Sequence, residues 1–211
     1  TALPNDLNNL PPKENFCWYS LRQIYTDSHF KRRRSAEITF SWFEGEGFAR
    51  EPVSASNISL APKKQYAAGP AASFLLRYAS QEGMQHRQRI SINDSLYTED
   101  NFTDWGLQNH VFQVPMAAIA SSLVLKMQAQ NGNVDRHAIA GIVLRYPRQF
   151  DAENATYFPF ALDASSAEKY LEILAFNTSG GTPILLDLTN RIRLETTVEG
   201  GVVKAKIPAS A

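Results

Sequence analysis

Residues 137–150 read HAIAGIVLRYPRQF, the most apolar short run in the chain, and the run ends abruptly at Arg145-Tyr146-Pro147-Arg148. It is open to three readings: a membrane span, a helix against a core, or a strand covered on both faces. The uninterrupted apolar stretch from Ala138 to Leu144 falls far short of the roughly 20 residues that a bilayer-spanning helix needs. β-branched residues, an internal glycine and Pro147 at the end favour a central strand over a helix. The run is therefore scaffold. Arg145 and Arg148 flank the point where the chain leaves the sheet, and both charges are expected to reach water.

The same pattern recurs outward from this run. Period-2 or solid apolar runs bounded by Gly, Pro, Asn, Asp and Ser mark strands at 36–43 (AEITFSWF), 73–80 (SFLLRYAS), 87–93 (RQRISIN), 110–114 (HVFQV) and 122–128 (SLVLKMQ). Further candidates lie at 171–176, 183–188, 191–196 and 202–207. In SLVLKMQ, Leu123, Leu125 and Met127 share one face while Val124, Lys126 and Gln128 share the other, as expected of a strand with one side on a core. Turn signals separate the runs: Asn131-Gly132, Gly180-Gly181 and Gly200-Gly201. Helical signals are sparse. Residues 114–119 (VPMAAI) could form one turn with Pro115 early in it. In 165–174 (SSAEKYLEIL), a capping-box spacing of Ser165 and Glu168 sets a short helix against a strand. Many short strands without interleaved helices predict an all-β, antiparallel, jelly-roll-like sandwich.

The chain has 211 residues, enough for one large domain or two small ones, and 44% of them are hydrophobic. Lys and Arg number 21 and so do Asp and Glu, so no net field steers the molecule to nucleic acid or an anionic membrane. Any partner is read by shape and local chemistry. Residues 1–16 read as a polar leader or linker, and the start of the chain as that of a mature or excised segment. Residues 17–150 are expected to form the sandwich. Residues 151–211 should add strands to it or form a small attached β subdomain.

The order of segments adds a resemblance. Residues 69–93, followed by a Phe-x-Val-Pro motif at Phe112, Val114 and Pro115 and a strand into Asn131-Gly132, are similar to the layout of galactose-binding-like jelly-roll domains. With the opening run included, the stretch from about residue 70 to 195 resembles the accessory β-sandwich region that precedes the catalytic domain in gingipain-like cysteine peptidases, including the type IX secretion sortase. The matching positions are Ile142, Leu144, Tyr146, Arg148 and Phe150, then Asp187 and Thr189. The resemblance implies a non-catalytic accessory or binding domain of a secreted, periplasmic or cell-surface bacterial protein, supporting a neighbouring domain or binding a protein partner. It transfers no catalytic residue, since the catalytic His and Cys segments of that family are missing from these residues.

Candidate sites are weighed against simpler roles. Cys17, the single cysteine, could act as a nucleophile only with a base such as His29, His86, His110 or His137, and otherwise is a small buried hydrophobe. No histidine pair has zinc-ligand spacing. Asp94, Glu99, Asp100 and Asp104 lie in DSLYTEDNFTD, read as an acidic loop, where carboxylates could hold a structural calcium ion or simply make turns. A glycan would find an aromatic face at Trp105 with Asp104, Gln108 and Asn109 beside it, whereas Trp18 and Trp42 suit packing. The run Lys31-Arg32-Arg33-Arg34 suits a protected edge better than a nucleic-acid patch. Five Asn-x-Ser/Thr triplets start at Asn57, Asn93, Asn101, Asn154 and Asn177, as glycosylation acceptors or as turn chemistry. The leading expectation is the accessory domain. The alternatives are a carbohydrate-binding module, a hydrolase fragment and a viral jelly-roll structural protein.

Overall fold

The computed structural model describes residues 2–30, 47–80, 83–104 and 106–209, with the backbone alone for 29 and 30. The expected strand at 36–43 with Trp42, the basic run Lys31 to Arg34, and Trp105 lie outside these residues. In chain order the strands are β1 (Cys17–Ile24), β2 (Ser28–Phe30), β3 (Gly47–Ala49), β4 (Ala55–Leu60), β5 (Ala72–Ser80), β6 (Gln85–Ile92), β7 (Ser95–Thr103) and β8 (Leu107–Val114). They continue as β9 (Leu123–Ala129), β10 (His137–Arg148), β11 (Lys169–Ile173), β12 (Ile184–Asp187), β13 (Ile192–Glu195), β14 (Thr197–Glu199) and β15 (Val202–Ile207). One 3₁₀ turn, Met116–Ala118, follows Pro115 as anticipated; the fixed proline φ of −63° starts it. Within residues 165–174 the strand wins, over Lys169–Ile173: Tyr170, Leu171 and Ile173 are buried, and Ser165 only closes a local turn with Ala167.

Two compact units emerge, the first from the residues up to Tyr19 together with those from Pro147 on, the second from Ser20–Tyr146. The chain enters the second unit along β1 and leaves it along β10.

The second unit is a sandwich of two four-stranded sheets, ordered β1-β10-β5-β8 and β4-β9-β6-β7. Successive strands hop between the sheets in the order of a jelly roll, with the β2–β3 hairpin inserted before β4. The inner faces interdigitate: Phe74, Leu76, Tyr78, Ile142, Leu144 and Tyr146 from one sheet, Ile58, Leu60, Ile90, Ile92, Leu123, Leu125 and Met127 from the other, are all at most 3% exposed. Each such side chain contributes on the order of 1.5–3 kcal/mol.

The opening run becomes β10, paired with β1 on one side and β5 on the other. Its solid apolar look has a specific cause. A bulge between Ile139 and Gly141 inserts Ala140 as an unpaired residue against β5. The extra residue resets the alternation, so Ile139 lies opposite Tyr78 and Ile142 opposite Leu76, both facing inward. Without it Ile142, Leu144 and Tyr146 would turn outward. A Cβ on Gly141 would sit 3.2 Å from the Gln23 carbonyl, so the glycine lets β1 approach here.

The first unit pairs β11-β15-β14 in one sheet and β12-β13 in a hairpin. Its core gathers Cys17, Phe150, Ala152, Leu171, Ile173 and Val203. Residues 2–16 are tied to it by backbone and side-chain bonds: Leu3 exchanges backbone bonds with Arg193 and Glu195, Glu14 N donates to Tyr170 O, and Asn5 clamps Lys206. The backbone partners compensate for the polar composition of this segment. Arg148 corrects an expectation. It is 5% exposed, with its guanidinium 4.5 Å from the Tyr19 ring centroid and 5.2 Å from that of Phe158. Its Nη2 donates to Asp151 O and to Glu153 Oε2 at 2.6 Å. Stacking and charge pairing thus hold in the interior a cation that sequence position had placed in water.

Candidate functional site

Nucleophiles and bases come first, because they would define an enzyme. Within the first unit Cys17 is fully buried, its Sγ 3.5 Å from the Arg148 carbonyl, and burial pushes the thiol up to about 12 despite the nearby Arg148 charge. Such a thiol stays protonated at neutral pH and is a poor nucleophile. All four histidines belong to the second unit.

Two of those histidines join a buried polar chain. Inward positions of β6 are occupied by His86 and Gln88 ahead of Ile90 and Ile92. Asp135, from the β9–β10 connection, accepts bonds from His86 Nδ1 at 2.6 Å, Gln88 Nε2 at 2.9 Å and the Arg87 amide at 3.4 Å. Gln88 Oε1 is then the acceptor for His137 Nδ1 at 3.0 Å, which leaves His137 Nε2 to accept from Ser56 Oγ at 3.0 Å. The sequence Ser56, His137, Gln88, Asp135 has the proton order of an activated serine. Its surroundings do not: Ser56 points inward from β4 and His137 is wholly buried, with desolvation lowering its pKa to about 4. Ser56 is 8% exposed, and the polar chain behind it pins one end of the sandwich.

The carboxylates read as an acidic loop form a strand instead. Asn93 and Asp94, both at positive φ, make a two-residue turn from β6 to β7, and residues 95–103 then pair with β6. The strand period splits the set. Glu99 faces outward between Arg87 and Arg89, and the Arg87 hydrogen bond holds its carboxyl below the usual range. Asp100 faces inward, accepting from the Tyr78 hydroxyl with His110 nearby. Asp94 pairs with Lys126 at the turn, and Asp104 sits at φ 66° beyond the strand. Among the described residues no three His, Cys, Asp or Glu side chains are placed to share a metal ion. Gln108 and Asn109, adjacent on β8, likewise point to opposite faces: Gln108 pairs with inward Tyr78, Asn109 with outward Arg77.

Asn109 instead belongs to a face that sequence inspection had not assembled. The outer side of β1-β10-β5 carries a groove of about 430 Å³ in the second unit. Its floor is small and aliphatic, with Ala79, Ala138, Ala140, Gly141, Leu75 and Val143, and its walls include Ile24 and Phe48, which are 76% and 61% exposed. Arg22 and Arg77 stand at the same groove, and Arg77 Nε donates to Asn109 Oδ1 at 2.9 Å. No signal in β10 alone could reveal this floor, because the bulge sets which residues face outward. A second concavity of about 450 Å³ lies within the first unit, between Phe158, Phe160, Phe176, Leu185 and Ile207. Ile184, Leu186 and Leu188 are exposed along its rim.

No protein-family profile and no curated protein matches the chain. Among solved structures it is similar to dimeric latent PorU from Porphyromonas gingivalis, with 10% identity over 95% of this chain and a TM-score of 0.67. Two carbohydrate-binding modules also align. The CBM36-1 domain of a multidomain xylanase from the hindgut metagenome of Trinervitermes trinervoides has 12% identity and a TM-score of 0.38, over 60% of this chain and 96% of that one. A CBM36 module in complex with calcium and xylotriose has 13% identity and a TM-score of 0.33, over 59% and 98%. At such identities the likeness is one of fold. The chain is an all-β protein with an antiparallel sandwich, similar in fold to a part of PorU that makes up 20% of that chain.

Proposed function

We propose that the chain is a non-catalytic accessory module of a larger secreted or cell-surface bacterial protein, binding a protein partner or supporting a neighbouring domain. One observation carries this reading: the single thiol, and the histidines and serine of the buried polar chain, are kept apart from the accessible concavities. Cys17, His86 and His137 are fully buried and Ser56 nearly so, while the open concavities are lined mainly by aliphatic and aromatic groups. An enzyme needs a reacting group at the place where substrate collects. Here the collecting surfaces offer contact area and charge. The fold likeness to PorU over nearly the whole of this chain, at a fifth of that protein's length, supports a place within a longer polypeptide.

The test is a turnover assay on the full chain with chromogenic ester, peptide and glycoside substrates. The expected rate equals that of a heat-denatured sample. Turnover that disappears on Cys17→Ala or Ser56→Ala would overturn the proposal.

A further inference from the structure

We infer that the outer groove of the second unit is a docking site for an extended peptide segment of a partner protein in which acidic and aliphatic residues alternate. The inference rests on the binding-module reading above and names the partner's chemistry. Charge complementarity carries it. The chain as a whole is neutral, yet among the described residues the groove holds two cations, Arg22 and Arg77, and no anion. Both guanidinium groups are exposed, and among the described residues neither is paired with a carboxylate. Arg77 is held by Asn109 through Nε, which leaves its two terminal nitrogens to form the fork that carboxylates match.

The rest of the groove selects the remainder of the ligand. Leu75, Val143 and Ile24 offer aliphatic surface, and among the described residues Phe48 is the only aromatic ring in the lining. A saccharide would call for aromatic faces under its rings, so the lining suits leucine-like and valine-like side chains better. Strands β10 and β5, which supply the floor, are paired on both edges and offer no free backbone groups there. Recognition therefore falls to side chains, with acids reaching Arg22 and Arg77 and aliphatic groups reaching the floor.

The experiment measures fluorescence anisotropy of a fluorescein-labelled hexapeptide of alternating glutamate and leucine added to the full chain. A lysine–leucine hexapeptide and a short galacturonate oligomer serve as the other probes. The glutamate–leucine peptide is expected to bind, to weaken several-fold between about 50 and about 300 mM salt, and to weaken about tenfold or more in Arg22→Glu/Arg77→Glu. That variant is expected to gain the lysine–leucine peptide. Both positions are exposed, and Arg22→Gln/Arg77→Gln, checked for an unchanged melting temperature, gives the same loss without inverted charge. No binding of the glutamate–leucine peptide, binding unchanged in both double variants, or groove-dependent binding of the galacturonate alone would overturn the inference. Those results leave the absence of turnover standing, so the two proposals fail separately.

Discussion

His137 shows how a single residue's environment outweighs its type. Its ring lies between Ser56 and Gln88 with no water-facing atom, and desolvation lowers its pKa from 6.5 to about 4, against an opposing pull from Asp135. At pH 7 both folded and unfolded states hold it neutral. As pH falls between the two values, the unfolded chain takes up a proton that the folded chain refuses, so stability falls. The loss should reach about 3 kcal/mol near pH 4. Urea titrations at stepped pH should show this slope in the wild type and a shallower one in His137→Gln, which should also start lower at pH 7. An equal slope in both proteins would remove His137 as the cause. Arg148 makes the opposite point, a cation held indoors by Tyr19, Phe158 and Glu153. Arg148→Lys retains the charge but loses the planar stack and should lower the melting temperature by about 2–8 °C.

At the scale of elements, strands with clean alternation showed which side faces the core, and those with an interruption did not. Leu123, Leu125 and Met127 of β9 face the core as their spacing required. In β10 the inserted Ala140 hid the alternation, so the run advertised burial on both faces while its outer side is in fact half-open floor. β7 escaped notice because it is an edge strand: its charges are satisfied across the pair by Arg87 and Arg89, which composition alone cannot show. Turns were read best where glycine marked them. Ala175, just past β11, adopts φ 48° with an exposed side chain, a cost that no sequence signal flags. Ala175→Gly should therefore stabilise the protein by about 0.5–1 kcal/mol, seen as a rise of about 1–4 °C in melting temperature. A fall would mean that the methyl group makes a contact that matters.

Over the whole molecule, the fold class could be argued from strand count and turn spacing, while the borders between units at Tyr19–Ser20 and Tyr146–Pro147 carry no mark of their own. A strand such as β1 or β10 that passes from one unit to the next keeps its apolar pattern throughout, so no composition shift marks the border. The polar chain was equally hidden, because His86 and Asp135 lie 49 residues apart in sequence and meet only through the jelly-roll order. The faint signal was two polar residues, His86 and Gln88, at inward positions of an alternating strand. The groove depended on more distant pieces still: Arg22, Phe48, Arg77 and Val143 come from four separate strands. The central claim is that this face binds while the buried chemistry stays inert. Methyl chemical-shift mapping of the full chain on adding the glutamate–leucine hexapeptide tests it most directly. The methyl groups of Ile24, Leu75 and Val143 should shift together while those of Leu76 and Leu123 stay fixed; shifts absent from the groove, or centred on the inner methyl groups, would contradict it.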